Sequence, residues 1–192
     1  MPRRWSPLFC ANNRSHTVAT PFVFTFVGAD QPGLVEKLSQ TVADHGGNWL
    51  ESRMSELAGQ FAGIVKVEIA QNKAAGLRTA LLALSAQQLS VLVADQQAEE
   101  ATGNGRSLRL SIVGNDRPGI VREVSHALAE RHISVRDMDT SVTSAPMSGE
   151  PLFEAVAHIQ VPHALDLSEL NTQLDRIADA LTLTIDLEES LR

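Results

Sequence analysis

The sequence predicts an α+β protein built from two ferredoxin-like units in tandem, each with the element order β-α-β-β-α-β. Two observations carry this. A phrase recurs 86 residues apart: Val27-Gly28-Ala29-Asp30-Gln31-Pro32-Gly33-Leu34-Val35 returns as Val113-Gly114-Asn115-Asp116-Arg117-Pro118-Gly119-Ile120-Val121. Over Val27–Trp49 against Val113–Val135, eight of 23 positions are identical without a gap, so the chain reads as a duplication. Around each copy, period-2 and period-3.6 apolar patterns alternate in the same order.

In the first unit, Phe22–Val27 is a short apolar run ending at Gly28, the pattern of a buried strand. Asp30-Gln31-Pro32-Gly33 opens a helix, with Pro tolerated in the first turn and Asp or Gln placed to cap free N–H groups. Leu34, Val35, Leu38 and Val42 are expected on its inner face, and His45-Gly46-Gly47 is its stop. Trp49–Leu57 and Phe61–Ile69 read as a hairpin about Ala58-Gly59-Gln60. Ala74–Leu89 reads as the second helix and Val91–Val93 as the closing strand.

The second unit repeats the order. Leu108, Leu110 and Ile112 alternate as a strand. Pro118–Arg131 is a helix with Ile120, Val121, Val124 and Leu128 inward. Val135–Thr143 and Phe153–Val161 are strands across the longer loop Ser144–Pro151. Leu167, Leu170, Leu174, Ile177 and Leu181 mark the clearest helix, and Leu183–Leu187 is the last strand. The organisation expected is a basic extension over 1–20, a first unit over 21–94, a polar linker over 95–106 and a second unit over 107–189. One face of each four-stranded sheet lies opposite the helices. In the first unit that bare face is apolar, so the units are expected to pack on each other or on another chain.

Bulk properties narrow the function. The chain has 192 residues, 43% of them hydrophobic, enough for two modest cores. The net charge is −7 and the body without Arg3, Arg4 and Arg14 is more acidic still, which argues against direct nucleic-acid binding. Cys10 is the only cysteine, which fits a cytoplasmic compartment. The sequence has no apolar run of membrane-spanning length. The first twenty residues lack the apolar core of a signal peptide and read as an extension or the product of an upstream start, with a basic targeting leader as the alternative.

A strand–turn–helix corner with Gly-x-Asp-x-Pro-Gly-[Leu/Ile]-Val, twice in this frame, resembles the ACT-domain family across both repeats, roughly Pro21–Ala94 and Ser107–Glu189. Within it, two units and little else at this length resemble the glycine cleavage system repressor group. The resemblance implies a non-catalytic regulatory protein that binds a small amino acid, glycine or similar. It would control gene expression through contact with a transcriptional activator or enzyme partner, and is expected as a homodimer without cofactor or metal. ACT units often carry an Asn near the start of the second strand, close to the ligand corner; Asn48 takes that place and Ser134 is its counterpart.

The ligand-binding residues expected are therefore Asp30, Gln31, Pro32, Gly33, Leu34 and Asn48, and Asp116, Arg117, Pro118, Gly119, Ile120 and Ser134. The N–H groups of Gly33 and Leu34 would take a carboxylate at the helix N-terminus, and Asp30 the ammonium. The plainer alternative is that Asp-x-Pro-Gly only starts a helix well. An ACT regulatory subunit of an amino-acid metabolic enzyme is a second functional reading. An acylphosphatase-like hydrolase using Arg117, whose counterpart is Gln31, is a third.

Other residues carry weaker signals. Asp137 and Asp139 share a strand face, with Ser52 and Met54 in nearby places of the first unit, and are expected to be solvated. His126 and Glu130 are four apart on a helix, with His132 beyond; surface positions are expected, since zinc needs more ligands. His158 is expected packed or paired, Trp49 at the pocket edge or half-buried, and Ser39 and Ser125 as helix-surface hydroxyls. Phosphate-loop, dinucleotide and zinc-protease motifs are missing from the sequence.

Overall fold

The computed structural model describes residues 19–94, 105–146 and 149–189. The proposed extension lies outside them but for its last two residues, as does nearly all of the proposed linker and the middle of the Ser144–Pro151 loop. The chain divides into two compact units, the described parts of which are 19–94 and 105–189. The first runs β1 (Ala19–Ala29), α1 (Leu34–Asp44), β2 (Asn48–Leu57), β3 (Gln60–Ala70), α2 (Gln71–Ala83), a 3-10 turn (Leu84–Gln87) and β4 (Leu89–Val93). The second runs β5 (Gly105–Asn115), α3 (Ile120–Ala129), β6 (Ser134–Ser144), β7 (Pro151–Pro162), α4 (Leu167–Leu181) and β8 (Leu183–Glu189). Each unit forms one antiparallel sheet, ordered β2-β3-β1-β4 and β6-β7-β5-β8. This is the ferredoxin-like α+β architecture, twice.

Strand alternation makes the cores. Phe24 and Phe26 of β1 and Val65, Val67 and Ile69 of β3 are buried, and meet Leu34, Leu38 and Val42 of α1 and Leu77 and Leu81 of α2. Leu108, Leu110, Ile112, Ile159, Val124, Leu128, Leu170 and Leu174 do the same in the second unit. Each such side chain contributes about 1.5–3 kcal/mol on leaving water. Trp49 meets Phe24 edge-on at 6.2 Å between ring centroids, so it is a partly buried core contact. Val35 and Val121, expected inward, are instead 42% and 44% exposed, because each follows a residue that points straight at the sheet and so faces about 100° away.

The turns follow backbone chemistry. Leu57 pairs with Gln60 across Ala58 and Gly59, whose φ values of 51° and 75° suit a two-residue hairpin. Gly46 at the end of α1 has φ 71°, and its N–H donates to the Ala43 carbonyl at 2.8 Å. The second helix is shorter than expected: α2 ends at Ala83, a 3-10 turn follows, and Leu89 belongs to β4, not to the helix.

The corners also differ from expectation. Pro32 and Pro118 precede the helices, which begin at Leu34 and Ile120. Gly33 and Gly119 are the N-cap residues, left-handed at φ 87° and 103°, with no side-chain cap hydrogen bond. Asp30 therefore does not cap α1. Its backbone N–H is tied to the Gly59 carbonyl at 2.9 Å, as that of Asp116 is to the Pro151 carbonyl at 2.9 Å, which holds both residues at the strand end.

Two stability predictions follow from the helix starts. A Cβ at Gly119 would meet nothing within 4 Å, so any cost of substitution comes from φ alone. Gly33→Ala and Gly119→Ala should each lower the urea-unfolding free energy by about 1–2 kcal/mol, with Asn at the same positions costing less. At α4, Asp166 accepts from the Ser168 backbone N–H at 2.9 Å and from its hydroxyl at 2.8 Å. The backbone hydrogen bond, then the hydroxyl, then the charge of Arg106, hold the Asp166 carboxyl below the usual aspartate range. A depressed folded pKa stabilises above the unfolded value of about 3.9 and stops doing so as pH falls through the folded one. Asp166→Ala should thus lower the melting temperature at neutral pH, and the gap from the parent should close in acid below about pH 4.

Candidate functional site

The strand–helix corner of the first unit borders a cavity of about 140 Å³, lined by Gln31, Pro32, Gly33, Leu34, Lys37, Leu84 and Leu89. Three segments make it. The corner supplies Gln31 to Leu34. Leu84 comes from the 3-10 turn. Leu89 starts β4 and is brought below the corner by its pairing with Gly28.

The first turn of α1 leaves the N–H groups of Gly33 through Glu36 without a carbonyl four residues back. That of Leu34 closes a long 3.4 Å turn onto the Gln31 carbonyl, and the first helical bond runs from Lys37 N–H to the Gly33 carbonyl at 3.0 Å. The N-terminal end of the helix dipole favours a negative group at this place and Lys37 is in the lining, while the Glu36 carboxylate stands 3.9 Å from where a Cβ on Gly33 would lie. Lys37 was not among the residues expected from sequence. The signal was present: it stands four residues after Gly33, hence on the same helix face. Leu84 and Leu89 were read as ordinary helix residues, and only the shortened α2 shows their role.

The second corner repeats the backbone but not the charges. Glu123 N–H donates to the Gly119 carbonyl at 3.0 Å, as Lys37 does to Gly33. At the positions of Gln31 and Lys37, however, the second unit carries Arg117 and Glu123. Glu123 lies 2.6 Å from Arg122. Glu123 also lines an open groove of about 440 Å³ with Gln173, Arg176, Ile177, Ala180 and Leu181.

The structure brings Gln31, Pro32, Gly33 and Leu34 together and sets Asp30 outside the lining, exposed at the end of β1. Arg117, Pro118, Gly119 and Ile120 sit together at the second corner beside Asp116. Within a unit, Asn48 and Ser134 do not join these groups. Asn48 is opposite Glu68, which is opposite Pro21, nine residues and about 30 Å back along β1 from Asp30. Ser134 is opposite Gln160 and Ser107, equally far from Asp116. The physical reason is topological. A helix that returns over the sheet starts the next strand at the opposite end, so sequence nearness to the helix stop is distance from the helix start.

Among the remaining candidates, Asp137 bonds His158 Nδ1 at 2.7 Å across β6 and β7, so His158 is paired. Register corrects the comparison with the first unit: Glu51 opposite Lys66, not Ser52, stands where Asp137 opposes His158, and Arg53, not Met54, stands where Asp139 does. His126 and Glu130 form an exposed pair at 3.3 Å. Ser39 donates to the Glu36 carbonyl at 2.8 Å, a helix-surface bond. Among the described residues, no three His, Cys, Asp or Glu side chains are grouped to hold a metal ion, and no helix is long and apolar enough to cross a membrane.

Comparison with known proteins agrees with the fold. Family models for the ACT domain match residues 20–94 and 108–167. A protein of unknown function from Galdieria sulphuraria is 28% identical, with a TM-score of 0.77 over 91% of this chain and 100% of that one. A protein provisionally named a glycine cleavage system transcriptional repressor is 19% identical, with a TM-score of 0.69 over 91% of this chain and 99% of its own. No curated protein matches the chain.

Proposed function

The chain belongs to the ACT-domain family, as two units in tandem, and from that premise we propose a non-catalytic regulator that binds a small α-amino acid at the first corner. The observation that carries the ligand class is the cavity of about 140 Å³ at Gln31–Leu34 beside Lys37. A cavity of about 150 Å³ holds a molecule of about six heavy atoms. Glycine, alanine and serine, with five to seven heavy atoms, fit within it, whereas the side chains of leucine and phenylalanine would extend past its open mouth. The carboxylate sits against the N–H groups of the α1 start, with Lys37 adding charge, and the closely approachable backbone at Gly33 admits it.

In this reading the first corner is the working site. The second carries Arg117, Arg122 and Glu123 where the first has Gln31, Glu36 and Lys37, so the charges about the same backbone turn are rearranged. The chain works as a homodimer and controls gene expression, that of the glycine cleavage system, through contact with a partner protein. The provisional repressor supports this by sharing the tandem architecture along nearly its whole length. The net charge of −7 supports a protein partner over DNA.

Titration calorimetry tests the ligand. Glycine, alanine and serine should give heat at millimolar concentration, and leucine and phenylalanine less. Lys37→Ala should weaken glycine about three- to fivefold, the worth of one exposed ion pair. No heat with any of the three small amino acids would refute the reading. A gel-shift series with pure protein and DNA should show no retardation at low salt; salt-sensitive retardation would instead indicate phosphate contacts.

A further inference from the structure

The last helix of the second unit is longer than its counterpart in the first. Leu170 and Leu174 are the buried pair of α4, as Leu77 and Leu81 are of α2. From there α4 stays helical to Leu181, seven residues past Leu174, whereas α2 stops at Ala83, two past Leu81. The added length forms one wall of the open groove of about 440 Å³, with Gln173, Arg176, Ile177, Ala180 and Leu181 on α4 and Glu123 on α3. In the first unit Ala80 and Ala83 stand where Gln173 and Arg176 do, so the polar groups of the groove belong to the second unit alone.

The lining combines an apolar bed with one uncompensated charge. Ile177 and Leu181 are half-buried, each with part of its side chain left in water. Glu123 is already paired, its Oε1 accepting from Arg122 Nη2 at 2.6 Å and from Arg122 Nε at 3.2 Å. Gln173 Nε2 makes only a long 3.5 Å bond to Glu130. Arg176 has no hydrogen-bond or ion-pair partner among the described residues. Glu123 stands in the first turn of α3 and Leu181 ends α4, so the two helix dipoles present opposite signs here and neither decides the charge of a ligand. The guanidinium decides it.

We propose that this groove is a second ligand site, which takes a small carboxylic acid with an apolar body and no amine. The carboxylate meets the Arg176 fork and the Gln173 amide, and the hydrocarbon covers Ile177, Ala180 and Leu181. An amine is disfavoured because the acid in the lining is occupied by Arg122. The volume lies within the range of small-molecule sites, which pair an apolar lining with a few placed polar groups. The inference goes beyond the function proposed above and does not rest on it, since it concerns other residues, in the other unit, and a different ligand class.

Amide chemical-shift titration of the full chain with 4-methylpentanoate, up to about 20 mM, tests this. Shifts should centre on Glu123 and on residues 173–181, and leave Gln31–Lys37 unmoved. Arg176→Ala should weaken binding about fivefold, the worth of one partly exposed charge pair, and Arg176→Lys should weaken it less. Ala180→Trp, which fills the groove, should abolish the shifts. Arg176 and Ala180 are exposed, so these variants should keep the parent's melting curve. The uncharged 4-methylpentanamide and the amine-bearing leucine should each bind the groove more weakly than 4-methylpentanoate, and Lys37→Ala should leave that binding unchanged. Absence of shifts along α4, shifts indifferent to both Arg176→Ala and Ala180→Trp, or leucine bound there as well as 4-methylpentanoate would each overturn the proposal. Glycine shifts at Gln31–Lys37 that persist in Ala180→Trp would show that such a failure leaves the first corner untouched.

Discussion

The structure of each unit depends on one backbone constraint, the left-handed glycine between the first strand and the first helix. Gly33 at φ 87° and Gly119 at φ 103° turn the chain through the sheet edge in a single residue. The strand end is already held by the Asp30 and Asp116 N–H bonds to the opposite hairpin. With that end fixed, the turn decides where the next side chain goes. Leu34 and Ile120 drop into the cores, and the helix axis is set over the sheet. The same turn leaves the first helix N–H groups without carbonyl partners four residues back, beside Leu89 in the first unit. Fold and candidate site therefore share a cause: the conformation that starts the helix is the one that opens the anion-favouring corner.

This explains what was legible in the sequence. Strands and helices were visible because alternation and 3.6-residue spacing report directly on burial; Leu167–Leu181 is a helix from its first expected residue to its last. The Pro-Gly corner was visible because few residue pairs make that turn. Asp is a common cap, but the N-cap here is Gly33, which has no side chain to offer, and Asp30 lies three residues earlier with its N–H tied to the Gly59 carbonyl. Val35 was misjudged because an apolar residue beside an apolar stripe looks continuous in one dimension while pointing away in three. Asn48 was misplaced for a different reason: a residue's height along a sheet is set by strand direction and register, which a local pattern does not encode. Lys37 went unnoticed because an exposed Lys on a helix has no signature until a cavity is found beside it.

The duplicated units have kept their backbone and changed their surfaces. The corner bonds agree to within 0.1 Å between the copies, at 2.9 Å for Asp30 and Asp116 and 3.0 Å for Lys37 and Glu123. The side chains around them do not agree. Lys37 is matched by Glu123, Gln31 by Arg117, Leu92 by Asp186 and Val23 by Arg109. These are reversals or creations of charge, on both the corner and the outer sheet face, inside a chain whose buried side chains, among the described residues, are all apolar: Leu, Ile, Val, Phe and Ala.

Magnitudes account for that division. A left-handed residue other than glycine costs about 1–2 kcal/mol, and a truncated core leucine about 2–5 kcal/mol, against a total stability of about 5–15 kcal/mol. Exposed substitutions away from such features usually stay within about 0.5 kcal/mol. Exchanging Lys for Glu at the corner, or Leu for Asp on the sheet face, is therefore nearly free in folding energy while it inverts what the surface attracts. A carboxylate that gains from a nearby ammonium loses as much beside a carboxylate, and an apolar strip loses its pull on other apolar surfaces once it is charged. Two copies of one fold can thus diverge through side chains that the core never feels. The first unit keeps the open corner and the apolar face on one sheet, while the second has exchanged the charges at both places.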